Sequence, residues 1–148
     1  MISIRIRKSA IEIARRYNVN VFFYNDNKNI GNGFMNVKPL SVNLNVSGKI
    51  TEDTFIGILF HELGHVHCVR NNLWSAYHYK STKIMNQNDI KAFRLTAHRA
   101  ECWVDKWGKK EMKKIMPHLK YRMSYKHKNK TTINFLNRFY KPLYDLIK

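Results

Sequence analysis

The stretch Gly57 to Cys68, GILFHELGHVHC, sets three histidines and a glutamate into an otherwise apolar run. His61 and His65 are four residues apart, so on a helix they lie one turn apart on the same face, where both can reach one metal ion. Glu62 sits about 100° around the helix from His61, close enough to meet a metal-held water from the side. Zinc lowers the pKa of such a water to about 7, and a carboxylate then takes its proton as the water attacks a carbonyl. The pentapeptide thus encodes two ligands, His61 and His65, and a general base, Glu62.

A catalytic zinc needs a third protein ligand. Cys68 follows His65 by three residues and lies near the same face, but one turn further from His61, and a small buried thiol more often packs than coordinates. His67 points away from His65. The extended motif of the metzincins needs glycine and histidine where this chain has Cys68 and Asn71, so that group is excluded.

The strongest candidate stands later, in HRAECWVD, where His98, Glu101 and Asp105 are spaced i, i+3, i+7. Ile90, Ala97, Val104 and Ile115 flank that face, so it is expected to turn inward. A buried carboxylate pair is costly unless cations or hydrogen bonds compensate, and a zinc ion is such a cation. Glu101 is then the third ligand, with Asp105 accepting a hydrogen bond from the second nitrogen of a ligand histidine. His78 is an alternative ligand. With Tyr77, Tyr79 and His98 it is also a candidate stabiliser of an oxyanion.

These residues resemble the gluzincin arrangement of zinc metallopeptidases: HELGH at 61 to 65, followed by a helix carrying Glu101 and Asp105. The resemblance implies His61, His65 and Glu101 as zinc ligands, Glu62 as base and Asp105 behind the ligands. In size and order of elements the chain is most similar to the ImmA/IrrE-type peptidases, although their Glu-x-x-Ala-Asn-x-Phe-Ala-like signature is replaced here by ECWVDKWG. The SprT-like group, whose third ligand is a histidine after the motif helix, is the second resemblance. It would use His78 and implies substrates bound to nucleic acid.

The elements that must position these residues follow from pattern and punctuation. Residues 3 to 17 carry Ile4, Ile11, Ala14 and Tyr17 with basic residues between, and predict a first helix. VNVFFY, Val19 to Tyr24, predicts a strand, and the Asn, Asp and Gly cluster to Gly33 predicts turns. LSVNLNVS alternates Leu40, Val42, Leu44 and Val46 with Ser41, Asn43, Asn45 and Ser47, the pattern of a half-buried strand. In zincins the strand before the metal helix is often an edge, so this one is expected to pair with a substrate backbone. Thr51 is a good N-cap, with Glu52 and Asp53 in the first turn, for a helix from Glu52 to Arg70. An irregular segment, 71 to 88, precedes a helix from Asp89 to Met116, stopped by Pro117 and weakened by Gly108. A last amphipathic helix is expected from Thr132. The fold class is therefore α+β: one small zincin-like domain over 1–148, its short antiparallel or mixed sheet packed on the motif helix and the third-ligand helix, with a basic helical C-terminal part.

The chain has 148 residues, enough to bury one core. Two cysteines, Cys68 and Cys102, exclude a disulfide scaffold. No window approaches the roughly 18 apolar residues that span a bilayer. The N-terminus has no apolar h-region, so no secretory signal is read and the expected compartment is the cytoplasm.

Lys and Arg number 27 against 10 Asp and Glu. Such a field favours polyanions. Lys106 to Lys130 holds ten basic residues and one acid, Glu111, interleaved with Trp107, Tyr121 and Tyr125. That segment is the candidate contact for nucleic acid or an acidic protein. Three functions remain in view: a zinc peptidase acting on protein or peptide, a peptidase recruited to nucleic acid, and a basic nucleic-acid-binding protein with a vestigial metal site. The intact Glu62 argues against the third.

Overall fold

Thr51 starts the helix around which the rest packs: its hydroxyl accepts from the Thr54 amide at 3.2 Å. In the computed structural model, which describes residues 1–26, 33–47, 50–74, 78 and 87–122 (backbone alone for 87–95), the chain is α+β. Three helices, α1 (Ile4–Arg16), α2 (Glu52–Arg70) and α3 (Gln87–Ile115), accompany three strands, β1 (Asn20–Tyr24), β2 (Gly33–Val37) and β3 (Leu40–Asn45). The helix expected from Thr132 lies outside the described residues, as do Tyr77, Tyr79 and the basic segment beyond Arg122. No described helix is long and apolar enough to cross a membrane.

In α2, 14 residues from Phe55 to Val69 are buried, on every side of the helix. A helix apolar all round is one enclosed by neighbours. Here the sheet, α1 and α3 enclose it. Phe55, Ile58, Leu59 and Leu63 join Val42 and Leu44 of β3 in a single core. That position places the motif histidines inside the protein rather than on its surface.

α1 is capped by Ser3, whose hydroxyl accepts from the Ile6 amide. Its inward stripe is Ile6, Ala10, Ile13 and Ala14, whereas Ile4 is 72% exposed. Ile2, Ile4 and Ile6 alternate, and the spacing of Ile6, Ala10 and Ile13 selects which of them turn in. At the other end, the Arg70 guanidinium donates to the carbonyls of Tyr17 and Asn18, joining the C-termini of α1 and α2.

The sheet is mixed, in the order β1-β3-β2. β3 runs parallel to β1, with Val21 opposite Val42, and antiparallel to β2, with Met35 opposite Val42. This overturns the expectation that β3 is an edge open to a substrate backbone. Both of its sides are already paired, and among the described residues the edges belong to β1 and β2. β2 is not among the expected elements: only its first residue, Gly33, falls in the expected turn cluster, and its five residues stop at Lys38-Pro39. The polar face of β3 is not simply solvated either. Asn45 is buried, donating to the Asp26 carbonyl at 2.9 Å and accepting from the Ser47 amide at 3.0 Å, which ties down the chain leaving β1.

α2 and α3 meet through glycines. A Cβ on Gly64 would lie 2.8 Å from Val104 Cγ1, and one on Gly108 3.0 Å from the Phe60 carbonyl oxygen. Gly108 is thus a close-approach residue within an unbroken helix. Gly64→Ala must push α3 away or distort a β-branched side chain, and overpacking of this kind costs about 1–3 kcal/mol. Urea unfolding should show that loss, with a weaker metal affinity alongside it because α3 carries Glu101.

Candidate metal centre

The two helix faces meet at His61, His65, Glu101 and Asp105, all buried. Among the described residues, His61, His65 and Glu101 each offer one ligand atom, all within 4.8 Å of one another. His61 Nε2 and His65 Nε2 are 3.1 Å apart. Glu101 Oε2 lies 3.1 Å from the first nitrogen and Oε1 lies 3.2 Å from the second.

Hydrogen-bond partners decide where the ring protons sit. The Trp74 carbonyl can only accept, so His78 Nδ1, 3.1 Å away, carries a hydrogen and donates to it. Burial first, and then the neighbouring His65, push the His78 pKa down to about 4, so this ring is neutral at pH 7 and its Nε2 holds a lone pair. His65 Nδ1, 2.9 Å from that lone pair, is therefore the donor. In a neutral His65 ring this leaves Nε2 bare. On the other histidine, Nδ1 faces Asp105 Oδ1 at 2.8 Å and donates to it, which leaves His61 Nε2 bare as well. The Tyr121 hydroxyl donates to the same Asp105 oxygen at 2.9 Å.

In neutral rings the two Nε2 atoms are thus bare, 3.1 Å apart, and each faces a Glu101 oxygen at 3.1 or 3.2 Å. Electron-rich atoms at that spacing repel unless a cation sits among them. A proton serves only two of these atoms, whereas a metal ion serves all. Zinc bonds to nitrogen and oxygen of about 2.0–2.2 Å give tetrahedral edges of about 3.3 Å, so the donor set fits within a few tenths of an ångström. Burial works against charge on Glu101. Positive charge among these atoms, protons on His65 and His61 in the metal-free site or a bound ion in their place, outweighs it and holds the carboxyl well below the usual range.

Glu62 is 7% exposed and follows His61 directly on α2. Its charge reaches the phenols of Tyr24 and Tyr121, which burial first, and then nearby carboxylates, push upward. Both phenols therefore stay protonated.

Not every candidate joins the centre. His78 supports His65 from behind, its Nε2 engaged by His65 Nδ1, and it stands outside the ligand cluster. His98 is exposed, contrary to the inward face read for it, because Ala97, Ala100, Glu101 and Val104 take the inward positions there. Three residues turn about 300° rather than a full circle, which leaves His98 about 60° off the Glu101 line. Cys68 is core, its thiol pushed up to about 12 by burial and then by Glu101. His67 stacks against Trp103 and Trp107.

Comparison with known proteins gives no match, either to a family model, to a curated protein or to a solved structure. The functional reading rests on the geometry above.

Two contributors escaped the sequence. Tyr121, by sequence a candidate stacking group of the basic segment, holds Asp105 across a turn containing Pro117, and no periodicity links positions 105 and 121. Trp74 acts through its backbone carbonyl, which has no side-chain signature at all. Trp107 likewise packs inward, edge-on to Tyr17 with ring centroids 5.8 Å apart. The supporting bonds should be measurable. Partners that orient ligand histidines typically contribute ten- to a hundredfold to metal affinity. Asp105→Ala should lose about that factor in a chelator competition, and Tyr121→Phe should lose less because the Asp105–His61 contact remains.

Proposed function

We infer that the chain is a zinc-dependent metallopeptidase of gluzincin type, hydrolysing peptide bonds in a protein or peptide substrate. The observation that carries this reading is the convergence of two histidine Nε2 atoms on one buried carboxylate, with a second buried carboxylate, Glu62, next to His61 in sequence. A purely structural site has no use for Glu62.

Zinc held by His61, His65 and Glu101 would supply a Lewis acid for the scissile carbonyl and acidify a water to a pKa of about 7. The chain supplies the rest. Glu62 takes the proton from the attacking water and returns it to the leaving amine, the ordinary two-way work of a general base. Asp105 and His78 keep the Nδ1 hydrogens of His61 and His65 in place, so both Nε2 atoms stay directed at the centre. Tyr121 holds Asp105 in turn. Burial removes competing water and strengthens every charge interaction within the site.

His78 is the residue on which the SprT-like alternative depends, and its engagement with His65 favours Glu101 as third ligand. The test is to incubate zinc-loaded protein with an unfolded protein substrate and count new amino termini by mass spectrometry. Cleavage that a chelator abolishes and zinc restores supports the reading. Absence of cleavage from a range of unfolded and nucleic-acid-bound substrates would overturn it.

A further inference from the structure

A cavity of about 430 Å³ opens on α3, lined by Trp74, His98, Arg99, Cys102, Trp103 and Lys106. Its size falls within the usual range for ligand pockets, about 300–1,000 Å³. Helical residues turn about 100° each, so Arg99 and Trp103 lie about 160° around α3 from Glu101. These two side chains therefore point away from the metal centre.

Its chemistry is of one kind. None of the six lining residues is acidic, two are indoles, and Arg99 and Lys106 are exposed cations. The indoles are held in place. Trp103 is backed by the His67 ring, stacked at 5.8 Å, and His67 in turn stacks on Trp107 at 5.3 Å. Trp74 has φ of 54°, in the left-handed region that bulky residues avoid. Its carbonyl is engaged by the amide and ring of His78, which fixes that conformation. Rigid aromatic faces beside cations are the recurring means of holding bases and phosphates of single strands.

The cationic face also continues past the cavity. Arg99, Trp103, Lys106, Lys110 and Lys113 follow at spacings of four, three, four and three residues, which is one side of a helix. Lys110 and Lys113 are exposed, and from Lys106 to Lys113 the ridge extends about 10 Å. A free nucleotide would use the cavity alone, whereas a strand would use cavity and ridge together.

We propose that this face binds single-stranded nucleic acid, a base stacking against Trp103 and Trp74 in the cavity and successive phosphates lying along Arg99, Lys106, Lys110 and Lys113. The site is independent of the peptidase reading and would hold even if no peptide were cleaved.

The test uses the full chain and a short labelled oligothymidylate, with binding followed by fluorescence anisotropy across a salt series. Arg99→Ala with Lys106→Ala should weaken binding by about tenfold or more and flatten the salt slope, because fewer counterions are released. Arg5→Ala with Lys8→Ala, two exposed cations on α1, removes the same charge and should change little. Trp103→Ala should reduce the preference for single strand over duplex, since a paired base cannot stack on an indole. Zinc content should be the same in all of these proteins. Equal loss from the α1 pair would overturn the proposal in favour of a diffuse field. Duplex binding as tight as single strand, or competition by polyglutamate as effective as by oligothymidylate, would overturn the stacking role. Thymidine monophosphate binding as tightly as the oligomer would overturn the strand in favour of a free nucleotide. Loss of zinc together with binding would overturn the separateness of the site.

Discussion

Glu62→Gln should keep the zinc content and the unfolding midpoint of the wild-type protein while lowering peptide hydrolysis about a hundred- to ten-thousandfold, the usual contribution of a positioned acid–base group. The substitution is nearly isosteric, and it replaces a carboxylate that takes a proton by an amide that cannot. Glu62 is no member of the ligand cluster, so zinc retention has no reason to change. Side chains that only fill space would respond differently, because an amide of the same shape fills the same space. Equal kcat values for Glu62→Gln and wild type would remove Glu62 from the chemistry. Loss of zinc in the variant would instead make Glu62 part of the site that holds the metal.

The second large effect separates ligand from support. Glu101→Ala should reduce zinc from about one ion per chain to a small fraction, since two histidines alone leave the ion short of the three protein ligands that such sites use. It also removes the anion that balances the metal charge within a buried site. His78→Ala should retain the stoichiometry and lose about ten- to a hundredfold in affinity, because it frees His65 Nδ1 without removing a ligand atom. Dialysis against a graded series of chelators, with bound zinc measured at each step, distinguishes the two variants. The reverse ranking would move the third ligand to His78.

Much of this arrangement can be read from local sequence, and the missing parts share one character. The start of α2 follows from Thr51 and from Glu52-Asp53 in its first turn, both local signals. The placement of His61 over His65 follows from helical periodicity alone. The inward turn of Glu101 and Asp105 follows from Ala97 and Val104 around them, but the same reasoning carried too far included His98, which periodicity places at the margin of that face. β3 alternates as a strand should, yet its place between β1 and β2 is set by long-range pairing that alternation does not encode. β2 has too short a pattern to be seen, its five residues beginning on a glycine and ending two before a proline. Gly108 reads as a helix weakener by propensity, whereas packing against the Phe60 carbonyl requires a residue without a side chain. The link from Tyr121 to Asp105 and that from the Trp74 carbonyl through His78 to His65 exist only once the fold has formed.

X-ray absorption at the zinc edge of the zinc-loaded wild-type protein reports the atoms around the metal and so identifies its ligands. The nearest neighbours should be light atoms only, nitrogen and oxygen at about 2.0–2.2 Å, with the outer scattering of two imidazole rings. A scatterer at the zinc–sulfur distance of about 2.3 Å would bring in Cys68 or Cys102, and the scattering of three rings would bring in His78. Either result would contradict a centre built from His61, His65 and Glu101.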